Sequence, residues 1–271
     1  MGRALELIAG QATAPSTTFT ALTMNAGNSL TVRNAPLDAD TRIIQMWAKH
    51  QAAGVFRVRS PKLHDFVQGM RFRNPAALAI PMMPPGGWQR VVPQDTLTAE
   101  LTGSAVGGQF EQGAMMVYYS NLPGNDARMT TYADALARTV NIMAQEVSIT
   151  PGVAGGYSGQ VAINSGFDTW KANTDYALLG YRVDVRCTAV RIFGADTSNL
   201  GVGGPGEPSI AEQTARWFLW LSYFLNLALV PVFNSANKFG ILTDIMQDQA
   251  GAVVVITWIF GELTPGAVKT S

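Results

Sequence analysis

The sequence predicts an all-β fold of two tandem β-sandwiches with a few helices, and three observations carry that expectation. Most of the 271 residues fall into short runs of β-branched and aromatic types, punctuated by turn formers that include 27 Gly and 14 Pro. Only two stretches show a helical period. The second half of the chain repeats, in order, a series of short motifs from the first.

The first predicted strands are 17–24, 29–33, 41–47 and 55–59. Each is four to eight residues long, rich in Thr, Val, Ile or Phe, and bounded mostly by Gly, Pro, Asn or Asp. Closely spaced strands without regular intervening helices favour a sandwich or barrel over a parallel α/β sheet. Over 130–145, Tyr132, Leu136, Val140 and Met143 lie on one helical face, with Thr130 or Thr131 as N-cap. Over 209–226, a Ser N-cap, Glu212 three residues on and a long apolar run predict a second helix. Residues 217–233 are almost wholly apolar, but they contain Ser222, Asn226 and Pro231 and are shorter than the ~20 residues a membrane span needs. They read as a buried helix followed by a strand.

The repeat pairs Val67-Gln68-Gly69-Met70-Arg71-Phe72 with Leu178-Leu179-Gly180-Tyr181-Arg182-Val183, and 78–86 with 200–208. It then pairs Val91-Val92-Pro93 with Leu229-Val230-Pro231, 96–101 with 240–245, and 113–124 with 251–266. Gly69 and Gly180 are 111 residues apart and Gly113 and Gly251 are 138 apart, a difference of 27 that would hold the second helix as an insertion.

Composition narrows the function. Charged residues make up 14% of the chain, against roughly 25% in an ordinary domain, and 19 Lys+Arg balance 19 Asp+Glu. Such a surface is poorly protected against self-association, which suggests a subunit that hides much of itself against copies. Without a Lys/Arg run, direct binding of a nucleic-acid backbone is not expected. Residues 1–16 lack a signal-peptide core, and Glu6 stands where a myristoylation motif needs Ser or Thr, so synthesis in a cytoplasm is expected.

Catalytic groups are sparse. The single Cys187 lies in an apolar-alternating stretch and reads as a buried, inert thiol. Gly201-Val202-Gly203-Gly204-Pro205-Gly206 matches the dinucleotide fingerprint in form only: Pro205 removes an amide that a phosphate would need, so the segment reads as a surface loop. The two histidines, His50 and His64, are too few for a His-rich metal site and read as surface or interface residues. The carboxylate pairs Asp38/Asp40 and Asp244/Asp248 do not suggest a glycosidase. Methionines such as Met82-Met83 and Met115-Met116 read as core fillers. No catalytic, cofactor or metal residue is expected. The candidate site is instead an interface helix carrying Trp217, Phe218, Trp220, Leu221, Tyr223 and Phe224, apolar on all sides and so destined for a core, a neighbouring subunit or a membrane.

Two undercharged tandem sandwiches without a catalytic constellation resemble the double-jelly-roll major capsid proteins of tailless icosahedral bacteriophages, many of which enclose a membrane. The resemblance rests on architecture and on the repeat over most of the chain, not on a signature peptide. It implies jelly rolls at 1–124 and 146–271, a connecting helix at 125–145, and trimers of pseudo-hexagonal outline that assemble into an icosahedral shell. It also implies a location in the virion, with other virion proteins and an internal membrane as partners. The chain departs from the family in having a helix of this kind only in its second half, which leaves a single elaborated jelly roll as a variant. A receptor- or carbohydrate-binding sandwich and a β-sandwich hydrolase are the alternatives from other classes.

Overall fold

The computed structural model describes residues 2–24, 30–31, 33, 36, 39–63, 66–76, 78–81, 89–92, 95–163, 169–247 and 249–266. His64, Asp38, Asp248, Met82, Met83 and Pro93, named above, lie outside the described residues. The first half contains β1 (Gly2–Thr13), β2 (Thr20–Ala21), β3 (Thr23–Met24), β4 (Leu30–Thr31), β5 (Thr41–Lys49), β6 (Gly54–Arg59), β7 (Met70–Asn74), β8 (Gln89–Arg90), β9 (Thr96–Leu101) and β10 (Phe110–Leu122). After β11 (Met129–Thr130) and α1 (Tyr132–Arg138), the second half contains β12 (Thr139–Ile149), β13 (Val161–Ala162), β14 (Asp175–Val183), β15 (Cys187–Phe193) and β16 (Val202–Gly206). Helices α2 (Ala211–Thr214) and α3 (Trp217–Leu225) follow, then β17 (Val230–Asn234), β18 (Leu242–Met246) and β19 (Val254–Leu263).

The described strands form four antiparallel sheets, and the two halves use the same order. One sheet of the first half runs β3-β1-β10-β5-β8, and its counterpart runs β12-β19-β14-β17-β11. The other two run β2-β9-β6-β7, with β4 also on β9, and β13-β18-β15-β16. Apart from the short β3, β4 and β11, each half pairs its first strand with its last and its second with its next-to-last. The repeat therefore extends from the N-terminus, with β1 and β12 as equivalents.

The motif alignment is right only in part. The pairs 96–101 with 240–245 and 113–124 with 251–266 match β9 with β18 and β10 with β19, and the Val-Val-Pro pair adjoins β8 and β17. The first two pairs are out of step: 67–72 runs into the start of β7 whereas 178–183 belongs to β14, and 78–86 comes after β7 in the chain whereas 200–208 contains β16. Period-2 alternation around a glycine makes unrelated strands look alike. The second-half helices do lie where an insertion was expected, between β16 and β17, but the 27-residue difference came from the mismatched first pair.

The helix predicted over 130–145 ends at Arg138 and gives way to β12, because Thr139, Val140 and Ile142 prefer extended backbone and Ile142 to Ile149 pair with β19. Thr131 is the N-cap, accepting from the Asp134 amide at 3.2 Å. The helix predicted over 209–226 is broken into a 3₁₀ turn, α2 and α3, and the cap is Glu207, not Ser209: the Glu207 carboxylate accepts from the Ser209 amide at 3.2 Å.

Among the described residues two apolar clusters form the interior. Ala4, Ile43, Met46, Met115, Val117 and Tyr119 pack with Phe56, Val58, Phe72, Leu97 and Leu101 between the two sheets of the first half. Leu5, Leu7, Ile44, Trp47, Met116 and Tyr118, from the other face of β1, β5 and β10, join Cys187, Val190, Ile192, Trp258 and Phe260 of the second half. The β1-β10-β5 sheet is thus buried on both faces, and β10 reads as a nearly continuous buried run. Polar links stitch the halves together: Leu7 N–H donates to Gly201 O at 2.8 Å, Trp47 Nε1 to Thr188 O at 2.6 Å, and Gly156 N–H to Gln11 Oε1 at 2.7 Å.

Candidate interaction surface

The expected aromatic helix is half core and half surface. Trp217, Phe218 and Leu221 of α3 are buried, whereas Trp220, Tyr223 and Phe224 are exposed by 36%, 67% and 58%. Within the chain α3 is therefore covered on one side, where it packs on β14 and β17. Trp217 Nε1 donates to Gly203 O at 3.0 Å, fixing the inner face. Asn226 ends the helix in the left-handed region at φ 52°, where its amide bonds back to Ser222 O. Ser222 Oγ donates to Leu227 O at 2.6 Å and accepts from the Tyr132 amide at 2.8 Å, tying α3 to the start of α1.

From this anchored base a row of rings leads outward. Trp217 stacks on Trp220 at 5.8 Å between centroids, Trp220 on Phe224 at 5.7 Å, and Tyr223 leans on Tyr132 at 5.0 Å. Leu136 of α1 and Val140 and Ile142 of β12 extend the apolar surface. Ile142 is paired with Gly261, and Gly261 and Gly180 both lie on the outward face of their sheet, where a Cβ on Gly180 would strike Thr214 O of α2. Six of the thirteen large exposed apolar side chains among the described residues lie on α1, α3 and β12, and exposed apolar surface of this kind marks interaction sites.

Two further features make the patch suited to protein contact. The arginine that ends α1 is held within the subunit: Arg138 Nη1 bonds Asp134 at 3.1 Å, and its remaining donors reach Thr264 O and Gly266 O at 2.9–3.2 Å. The eleven-residue β12 pairs with β19 on one edge, and no described strand pairs its other edge. A long open edge with apolar side chains is a template for another chain. No helix among the described residues is long and apolar enough to cross a membrane.

Other expected residues fall elsewhere. His50 is fully buried, not a surface or interface residue. Its Nδ1 meets Glu111 Oε2 at 3.1 Å, and that carboxylate also accepts from the Gln51 and Ser104 amides at 2.9 and 2.7 Å. The pattern Trp47-Ala48-Lys49-His50 continues β5 inward, which the short spacing to the next turn concealed. The 201–206 glycine segment is the buried strand β16, not a surface loop. Asp244 lies within β18, buried against Arg191 at 2.7 Å; burial raises its carboxyl above the usual range despite that partner. Cys187, Met115 and Met116 are buried as expected.

By sequence, no family model and no curated protein matches the chain. Among solved structures it shows slight likeness to the PBSX exported protein XepA, with a TM-score of 0.27 and 10% identity over 94% of this chain and 86% of that one. The major capsid protein P2 of bacteriophage PM2 gives 0.24 and 7% over 98% and 99%. The T=1 Penaeus vannamei nodavirus structure gives 0.22 and 11% over 96% and 98%. Scores this low fix neither a fold family nor an activity.

Proposed function

We propose that this chain is a structural, non-enzymatic virion protein: a major capsid subunit of two tandem jelly rolls, one built from β1–β10 and the other from β12–β19, which associates as trimers and then as a closed icosahedral shell. The observation that carries this reading is the strand order repeated in both halves, since eight strands wound so that the first pairs with the last and the second with the next-to-last make a jelly roll. Two such units in one subunit give a trimer six similar corners, which suits a tiled shell. The apolar surface of α1, α3 and β12 supplies a contact area, and a chain only 14% charged has little electrostatic resistance to using it. Other virion proteins, or an internal membrane, lie between this subunit and the genome.

The test is the double substitution Tyr223→Ser/Phe224→Ser. Both side chains are exposed in the single chain, so melting of the subunit stays within a few degrees of the parent. Light scattering behind size-exclusion chromatography should shift from trimers or larger species toward the 29.0 kDa chain. An unchanged mass distribution would remove this surface from the assembly contact.

A further inference from the structure

We infer that the outer face of the β2-β9-β6-β7 sheet binds an acidic carbohydrate, with Arg71 and Arg73 gripping its anionic group at the mouth of an adjoining cavity. This inference is independent of the assembly reading.

Strand alternation sends Phe56, Val58, Phe72, Leu97 and Leu101 inward and Arg57, Arg59, Arg71 and Arg73 outward. A chain with only 19 Lys+Arg thus places four of them on two adjacent strands. Arg57 and Arg71 sit directly opposite each other in the β6–β7 register, an arrangement of like charges that costs stability. Glu100, on β9, is already occupied: it accepts from Arg57 Nε at 2.6 Å and from Arg59 Nε and Nη2 at 2.7 and 2.9 Å. That leaves the β7 pair. Arg71 gives one nitrogen to Gln68 Oε1 at 2.8 Å, and Arg73 has no hydrogen-bond or ion-pair partner among the described residues. Both are exposed. Glu100 offsets Arg57 and Arg59 while no carboxylate among the described residues bonds Arg71 or Arg73, which points to an external anion for the β7 pair.

Beside them opens a cavity of about 630 Å³ lined by Ser16, Thr17, Phe19, Arg71, Arg73 and Thr102, among others. That volume is in the range of small-molecule sites, roughly 300–1,000 Å³, and suits one or two sugar rings. The Arg57 guanidinium lies 3.6 Å over the Phe19 ring and braces the wall. Guanidinium forks match carboxylate and sulfate oxygens, and the Ser and Thr hydroxyls offer both donors and acceptors to sugar hydroxyls. A nucleic-acid strand fits less well, because it needs a continuous basic track whereas Glu100 interrupts this face and the chain's net charge is zero.

The experiment measures binding of the intact protein to hyaluronate, dextran sulfate, uncharged dextran and a single-stranded oligodeoxynucleotide by biolayer interferometry. Hyaluronate carries carboxylates and dextran sulfate carries sulfates, so these two arms separate the sources of the anionic group. At least one should bind while uncharged dextran does not. Arg71→Gln/Arg73→Gln should weaken that binding at least tenfold without changing the melting temperature. Arg182→Gln, an exposed arginine on β14, should leave it unchanged. Absence of binding to both acidic glycans, oligonucleotide binding as tight as theirs, or equal loss in the Arg182 variant would overturn the inference.

Discussion

A methyl group on Gly203 would sit 1.7 Å from the carbonyl oxygen of Val190, and one on Gly206 would sit 2.0 Å from Cys187 Sγ. These glycines let β16 lie against β15, and Gly204 leaves room for the Trp217 indole that anchors α3. Read in sequence, four glycines and a proline look like a loop, because the signal for a strand is carried by side chains that this strand lacks. His50 misleads in the same way: a polar residue beside a lysine gives no hint of the buried Glu111 sixty-one residues away. Glu207 is another such hub. Burial acts to raise its carboxyl, but bonds from Arg186, Ser209 and the Ala79 amide outweigh it and hold the group below its usual value of 4.5. Its contribution to stability is therefore present above about pH 4.5 and is lost as pH falls through the lower folded-state value. In urea melts, Glu207→Gln should be destabilised most at neutral pH, with the gap from the parent closing in acid. A gap independent of pH would show that the charge of Glu207 is not what links the strands.

At the scale of elements, strands with side chains on two distinct faces were legible from the sequence. The strands expected at 41–47 and 55–59 form as β5 and β6, only slightly longer than expected. The 130–145 stretch was not legible past residue 138, since Tyr132, Leu136, Val140 and Met143 satisfy a helical period while the β-branched residues after Arg138 satisfy a strand. Pairing with β19 decides between them. That outcome creates the open edge of β12 and puts Val140 and Ile142 at the surface, so the sequence named the α3 half of the interaction surface and missed the β12 half. Ile142→Lys places a charge on the edge, a device that blocks strand-to-strand association. Because Ile142 is two-thirds exposed, subunit stability should change by no more than about 0.5 kcal/mol. Light scattering should nonetheless show smaller assemblies. Parent-like assemblies would mean that β12 is not a contact edge.

For the whole molecule, the repeated strand order was visible in sequence mainly where the last strands align, because only there do the paired motifs fall on equivalent strands. What the sequence hid is how closely the halves are fused. Leu5, Leu7, Trp47, Met116 and Tyr118 belong to the first half but pack into the core of the second. Residues 1–124 expressed alone would expose that face, and are expected to aggregate or to bind a hydrophobic dye; a soluble fragment with cooperative unfolding would contradict the shared core. The same fusion sharpens the meaning of low charge. Much apolar area is already hidden between the sheets, and six of the thirteen large apolar side chains left exposed among the described residues lie on α1, α3 and β12. Sedimentation of the purified parent chain at micromolar concentration decides whether it self-assembles: species of at least three times 29.0 kDa are expected, and a clean 29.0 kDa monomer would rule assembly out.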